Sequence, residues 1–219
     1  MVLSKHLGSL SGLTCLDVGC SMGFISQYLG KFFKNVYGVD VDNYAIKKAK
    51  ELNTLRNVKF LKSEENKLPF PNKSFDVAVF NQIYEHAEEP QKIVEEIDRV
   101  LKKGGVCFMG ARNKYGIFDG HYNLPFIAWL PRKIADFYVK KFKNKDYYDI
   151  KLFSLSDLKK MVSKFIVKDY TLSVIKNPEH FKSTDSIPTF LDTNKIIYLI
   201  SKILYGFIPN YIWVLEKKE

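Results

Sequence analysis

The sequence predicts an open, doubly wound α/β fold with a parallel sheet. Short apolar runs alternate with amphipathic runs from residue 13 to residue 109. A glycine-rich turn directly follows the first apolar run, and the run at Ile93, Val94, Ile97, Val100 and Leu101 has clean helical spacing. Parallel strands joined by helices require right-handed crossovers, which place ligands beyond the carboxyl ends of the strands. The chain has 219 residues, 46% hydrophobic and 26% charged, enough for one well-buried domain and unlike a disordered or collagen-like chain.

Leu13 to Val18 reads as the first strand, and a helix carries Phe24, Ile25, Tyr28, Leu29, Phe32 and Phe33. Val36–Val39 is the second strand, followed by a helix with Ala45, Ile46, Ala49 and Leu52; Val58–Leu61 is the third and Phe75–Phe80 the fourth. The next helix is expected to stop at Gly104-Gly105, with Lys102 and Lys103 in its last turn where cations suit the dipole. Val106–Met109 is the fifth strand. Beyond it the pattern predicts a helix near Ser156–Val162, a strand over Phe165–Val174, a helix from about Asn194 to Tyr205 and a final strand over Asn210–Glu216. The apolar stripe Ile196, Leu199, Ile200 and Ile203 is expected to close the sheet in preference to attaching to a membrane.

Three cysteines, Cys15, Cys20 and Cys107, are too few and too odd in number for a disulfide framework, and no zinc spacing or metal site is predicted. They read as reduced thiols in a cytoplasmic protein. The N-terminal residues lack a signal-peptide core, and Lys202, Gly206, Pro209 and Asn210 interrupt the one long apolar stretch, so a spanning helix is not expected. The net charge of +10 is uneven: residues 1–111 carry +2 and residues 112–219 carry +8. Nucleic acid is the weaker reading of that charge, with only four arginines and no known binding module.

Candidate ligand loops follow the strand ends. Asp17-Val18-Gly19-Cys20-Ser21-Met22-Gly23 is a turn where small residues let backbone approach a ligand, ahead of a helix N-terminus. Asp40 ends the second strand, 21 residues after Gly19, where an acidic side chain accepts ribose hydroxyls. The turn reads G-x-S-x-G and lacks the G-x-G-x-x-G dinucleotide fingerprint, which disfavours nicotinamide cofactors.

These stretches, with Leu68-Pro69-Phe70-Pro71, Ser74-Phe75-Asp76-Val77, Asn81-Gln82-Ile83-Tyr84-Glu85-His86 and Arg99 to Gly105, resemble the class I S-adenosylmethionine (SAM)-dependent methyltransferases of the type 11 branch. The resemblance covers residues 13–110 and implies a Rossmann-like seven-stranded sheet, mostly parallel with the last strand antiparallel. It also implies SAM as cofactor. By position, Asp17, Gly19, Cys20, Ser21 and Gly23 would hold the methionine end, Asp40 the ribose, and Val41 would pack on adenine. Glu64, where the family has Asp, or its neighbour Glu65 would accept from the adenine amino group, while Asn81 and Gln82 would line the methyl-donor side. Ser21 also departs from the family, replacing its middle glycine.

Candidate acceptor-side residues are His86, Glu85 and His121. His86 stands as a general base, or Glu85-His86 simply bonds the loop backbone and starts a helix. Tyr84 packs against ligand or in the core; His6 and His180 are expected at the surface. The domain reading is one unit over 1–219: a SAM-binding half at 1–111, an insert or lid at 112–150, and C-terminal helices and closing strands at 151–219. In the insert, Ile134, Phe137, Tyr138 and Phe142 oppose Arg132, Lys133, Lys140, Lys141 and Lys143, as in a lid or in a helix resting on a membrane surface or an anionic, lipid-linked acceptor. The expected activity is methyl transfer, to oxygen by analogy with quinone-pathway relatives, on a small-molecule or lipid-linked acceptor. The alternative is a non-catalytic SAM-binding or membrane-surface adaptor.

Overall fold

The computed structural model describes residues 2–117, 121–181 and 194–218; residues 118–120 of the expected insert and 182–193 ahead of the last helix lie outside the described residues. Seven strands form one sheet in the order β3-β2-β1-β4-β5-β7-β6. They are β1 (Thr14–Val18), β2 (Asn35–Asp40), β3 (Val58–Lys62), β4 (Phe75–Asn81), β5 (Leu101–Arg112), β6 (Phe165–Asp169) and β7 (Asn210–Lys217). The first five pair in parallel, and β7 runs antiparallel to both β5 and β6. The order reverses between β1 and β4, which opens a crevice at their carboxyl ends.

Helices cover both faces. Against one lie α1 (Val2–Leu7), α2 (Phe24–Gly30) and α3 (Asn43–Leu52), contributing Leu3, Leu29, Ile46 and Ala49 to a core with Val36, Val77 and Val79. Against the other lie α4 (Pro90–Val100) and α6 (Leu155–Met161), whose Ile93, Ile97 and Leu158 meet Leu16, Phe80 and Trp213. α5 (Arg132–Lys143) belongs to the insert, which has its own small core of Leu124, Ile127, Ala135, Val139, Tyr148 and Ile150. Arg99 at the end of α4 forks onto the carbonyls of Leu68 and Phe70 and the carboxylate of Glu96, fixing the loop before β4.

Four expectations are corrected. α4 ends at Val100, because Leu101 is extended and pairs with Phe75; residues 102–105 then bulge before Val106 pairs with Val77, and Lys102 reaches Asp76 at 2.8 Å. The strand at Phe165 stops at Asp169, whose carboxylate accepts from the Thr171 amide and starts α7 (Thr171–Lys176). α8 (Pro178–Phe181) follows. His6 is not a surface residue: it meets the Tyr170 hydroxyl at 3.0 Å and Glu216 at 3.2 Å. Finally, the stripe on α9 (Asn194–Ile203) faces solvent, with Ile196, Leu199, Ile200 and Ile203 between 50% and 72% exposed. Periodicity identified an apolar face there, but the cavity beneath α9 takes the adjacent side of the helix, including Ile197 and Ser201.

Candidate active site

The turn after β1 is pinned to β2: the amides of Gly19 and Cys20 both donate to the Val39 carbonyl, at 2.8 and 2.9 Å. That clamp holds Gly19 and Gly23 at φ +74° and +82°, and a Cβ at Gly19 would lie 2.4 Å from Ile83 Cδ1. Asp17 is buried at the end of β1 and accepts from Ser26 Oγ at 2.6 Å. Burial lifts its carboxyl to about 7, the Ser26 hydroxyl opposing this and the Asp40 charge adding to it. Burial also pushes the Cys20 thiol up, so Cys20 is a neutral packing group here. Asp40 anchors the loop, accepting from the Ser21 amide at 2.7 Å and the Asp42 amide at 2.9 Å. Ser21 sits in the left-handed region at φ 46°, where the family's glycine carries no Cβ penalty.

At the end of β4, Gln82 is also left-handed, at φ 59°, with its amide donating to the Gly110 carbonyl at 2.9 Å. Its Oε1 is buried with no hydrogen-bond partner among the described residues. Asn81 packs directly on Gly110. Both side chains open into a cavity of about 500 Å³ between β5, β7, α7 and α9. Its other walls are mostly apolar, among them Phe108, Val174, Ile197, Leu204 and Ile212.

The next turn, Tyr84–His86, and the insert bring three candidates together. Glu85, His86 and His121 place a donor atom each within 4.8 Å of one another, and the two imidazole rings meet edge to face at 4.9 Å. Glu85 is buried, 3.5 Å from Arg112 Nε and 3.9 Å from His121 Nε2. Arg112 and His121 thus flank one buried carboxylate. Tyr84 is core: its hydroxyl donates to the Arg112 carbonyl at 2.6 Å and accepts from the Phe153 amide at 3.2 Å, tying this turn to the end of β5 and to the chain just after the insert. Those bonds resolve the two readings of Tyr84.

The adenine-side candidates are less closely gathered. Val41 is half-exposed beside Asp40, and the Ser63 amide bonds to the Asp40 carbonyl at 2.9 Å, bringing the end of β3 to the same rim. Glu64 is exposed there, whereas Glu65 accepts from the Glu88 amide at 2.6 Å.

Residues 16–109 match the family model for a methyltransferase domain. That match runs from the first strand to the fifth, just under half of the chain. Over 207 residues the chain is 26% identical to a ubiquinone biosynthesis O-methyltransferase of Klebsiella pneumoniae, covering 91% of this chain and 80% of that one. Over 111 residues it is 36% identical to a cycloartenol-C-24-methyltransferase of Oryza sativa, covering 48% of this chain and 32% of the other. The chain thus spans about a third of that sterol enzyme's length. A crystal structure of an SAM-dependent methyltransferase from Mesorhizobium loti superposes at TM-score 0.64 and 14% identity, over 99% of this chain and 96% of that one, which shows the shared fold.

SAM is the cofactor of this methyltransferase family, and the donor set suits it. Asp17 is a buried carboxyl at this turn, Gln82 Oε1 is an acceptor without a partner among the described residues, and half-exposed Val41 is an apolar seat beside the Asp40 carboxylate. Sequence reasoning missed Arg112, which ends β5 beside the site, and the cavity wall from α7 and α9. Arg112 lies three residues beyond the predicted strand Val106–Met109, which runs on to it in the structure; the wall comes from residues about 90 to 120 positions from β4 and carries no local signal.

Proposed function

We propose that the protein transfers the methyl group of SAM to an oxygen of an amphiphilic, lipid-linked small molecule whose tail lies in the cavity. The observation that carries this reading is a mostly apolar cavity of about 500 Å³ that begins at Asn81 and Gln82, the two residues assigned to the methyl-donor side.

SAM, when bound, supplies an electrophilic methyl on a sulfonium. Asp17, Gly19, Cys20, Ser21 and Gly23 would hold its methionine end, Asp40 its ribose, and Val41 with Glu64 or Glu65 its adenine. Asn81 and Gln82 orient the reacting groups, and the apolar walls exclude water. Positioning of this kind is worth roughly 7–11 kcal/mol. As the acceptor oxygen gains the methyl, His86 takes the hydroxyl proton, and the nearby Glu85 carboxylate offsets the resulting imidazolium charge. His121, edge-on to His86, keeps that ring in place. Contact with a membrane surface follows from the acceptor class. On the insert, Ile134, Phe137 and Phe142 of α5 are exposed among its lysines, a pattern that a lid over the site fits equally.

The test is a series of phenols carrying alkyl tails of increasing length, with radiolabelled SAM. KM falls with tail length, and His86→Asn lowers kcat by roughly 10²–10⁴ with SAM affinity unchanged. Rates indifferent to tail length would reject the cavity as the acceptor site.

A further inference from the structure

We propose that the outward face of α9, with the turn that follows it, is the surface on which this protein docks to an anionic lipid bilayer, and that the cavity opens onto that surface. What the cavity holds rests on the function proposed above; the docking does not.

Four observations converge. Ile196, Leu199 and Ile203 are 59%, 57% and 72% exposed on a ten-residue helix, an arrangement that leaves large aliphatic side chains uncovered by the other described residues. The face continues into aromatic residues: Phe207 lies 5.9 Å from Trp129, which in turn meets Phe126 at 5.1 Å and Tyr115 at 5.9 Å, each of them more than a third exposed. Trp129 turns its indole N–H inward to the Gly116 carbonyl at 3.2 Å, leaving the apolar ring for the surface. Ile200, Leu204, Phe207 and Ile117 belong both to this exposed face and to the cavity wall, so the patch rims the cavity mouth.

Charge selects the occupant. From Asn194 to Leu215 the sequence has no acidic residue, while Lys195 and Lys202 are exposed on α9 and Lys114 lies over the Tyr115 ring at 5.9 Å. Lysines beside aliphatic and aromatic side chains match an anionic headgroup layer above acyl chains, whereas protein interfaces are depleted in lysine. No helix among the described residues is long and apolar enough to cross a membrane, so α9 would lie in the interface plane. The exposed residues of α5 are a lesser surface, because α5 contributes no residue to the cavity wall.

The experiment is co-sedimentation of the full chain with phosphatidylcholine vesicles, with and without phosphatidylglycerol. Wild type should bind the anionic vesicles and dissociate with added salt, and Leu199→Glu with Ile203→Glu should weaken binding by at least about tenfold. Phe137→Glu with Phe142→Glu should bind nearly as wild type. If circular dichroism shows the α9 double variant unfolded, Ile203→Gln alone gives the same reading with a smaller loss. Wild type that ignores the anionic lipid, an α9 variant that binds undiminished, or loss confined to the α5 variant would each overturn the proposal. So would α9 substitutions that only convert a dimer to a monomer in the ultracentrifuge, since the face would then join two copies. SAM affinity measured in parallel by calorimetry separates the two claims: docking without methyl transfer sinks the proposed reaction alone, and transfer without docking sinks this surface alone.

Discussion

Replacing Asp17 by Asn should stabilise the ligand-free protein above pH 7 while weakening its hold on SAM. Burial raises the Asp17 carboxyl from 3.8 to about 7. Below about pH 4 the group is protonated in folded and unfolded chains alike. Between about 4 and 7 the folded protein keeps a proton that the unfolded chain has released, so each pH unit costs the folded state about 1.4 kcal/mol. Above 7 both states are ionised and the accumulated penalty, about 4 kcal/mol, stays constant. Asn keeps an oxygen for the Ser26 hydroxyl and has no charge to desolvate. Guanidinium melts of both proteins from pH 4.5 to 8.5 therefore start close together and diverge as pH rises, the variant ending the more stable by up to about 4 kcal/mol. Calorimetry over the same range should show wild-type SAM affinity rising with pH and the variant weak and flat, since an ionised Asp17 is what a bound cation favours. A stability difference that does not change with pH would refute the reasoning.

The remaining predictions concern packing around the site. Gly110→Ala places a Cβ 1.9 Å from Asn81 Oδ1, so Asn81 must move; a loss of about 1–3 kcal/mol in denaturant melts and a sharp fall in methyl transfer are expected. Gly19→Ala combines a left-handed backbone with a collision on Ile83, and should lower both Tm and SAM affinity. Tyr84→Phe deletes a hydroxyl bonded to Arg112 and Phe153, costing about 1–3 kcal/mol by thermal melt and loosening the chain just after the insert, read as faster hydrogen exchange at Phe153.

How much of this could be read beforehand follows from the range of the interactions involved. Strands β1 to β4 were legible as short contiguous apolar runs and helix α4 by its 3.6-residue period, and a family resemblance in residues 13–110 added the sheet's size and cofactor. The end of α4 was misjudged because two glycines look like a helix stop, whereas pairing of Leu101 with Phe75 had already drawn the chain into the sheet. The α9 stripe was visible, but its direction was not, since periodicity reports that a helix has an apolar face and not what lies against it.

By itself the sequence determined the alternation of elements, the glycine-rich turn with Asp17, and Asp40 at the next strand end, because each depends on neighbours a few residues apart. Only the tertiary structure decided that Glu85, His86 and His121 meet beside Arg112, that the Asp17 carboxyl titrates near 7, and that the cavity at Gln82 is closed by a helix more than 110 residues away. The physical reason is that desolvation, ion pairing and cavity shape arise from atoms that the crossovers and the final antiparallel strand bring together, and no local pattern records which segments those are.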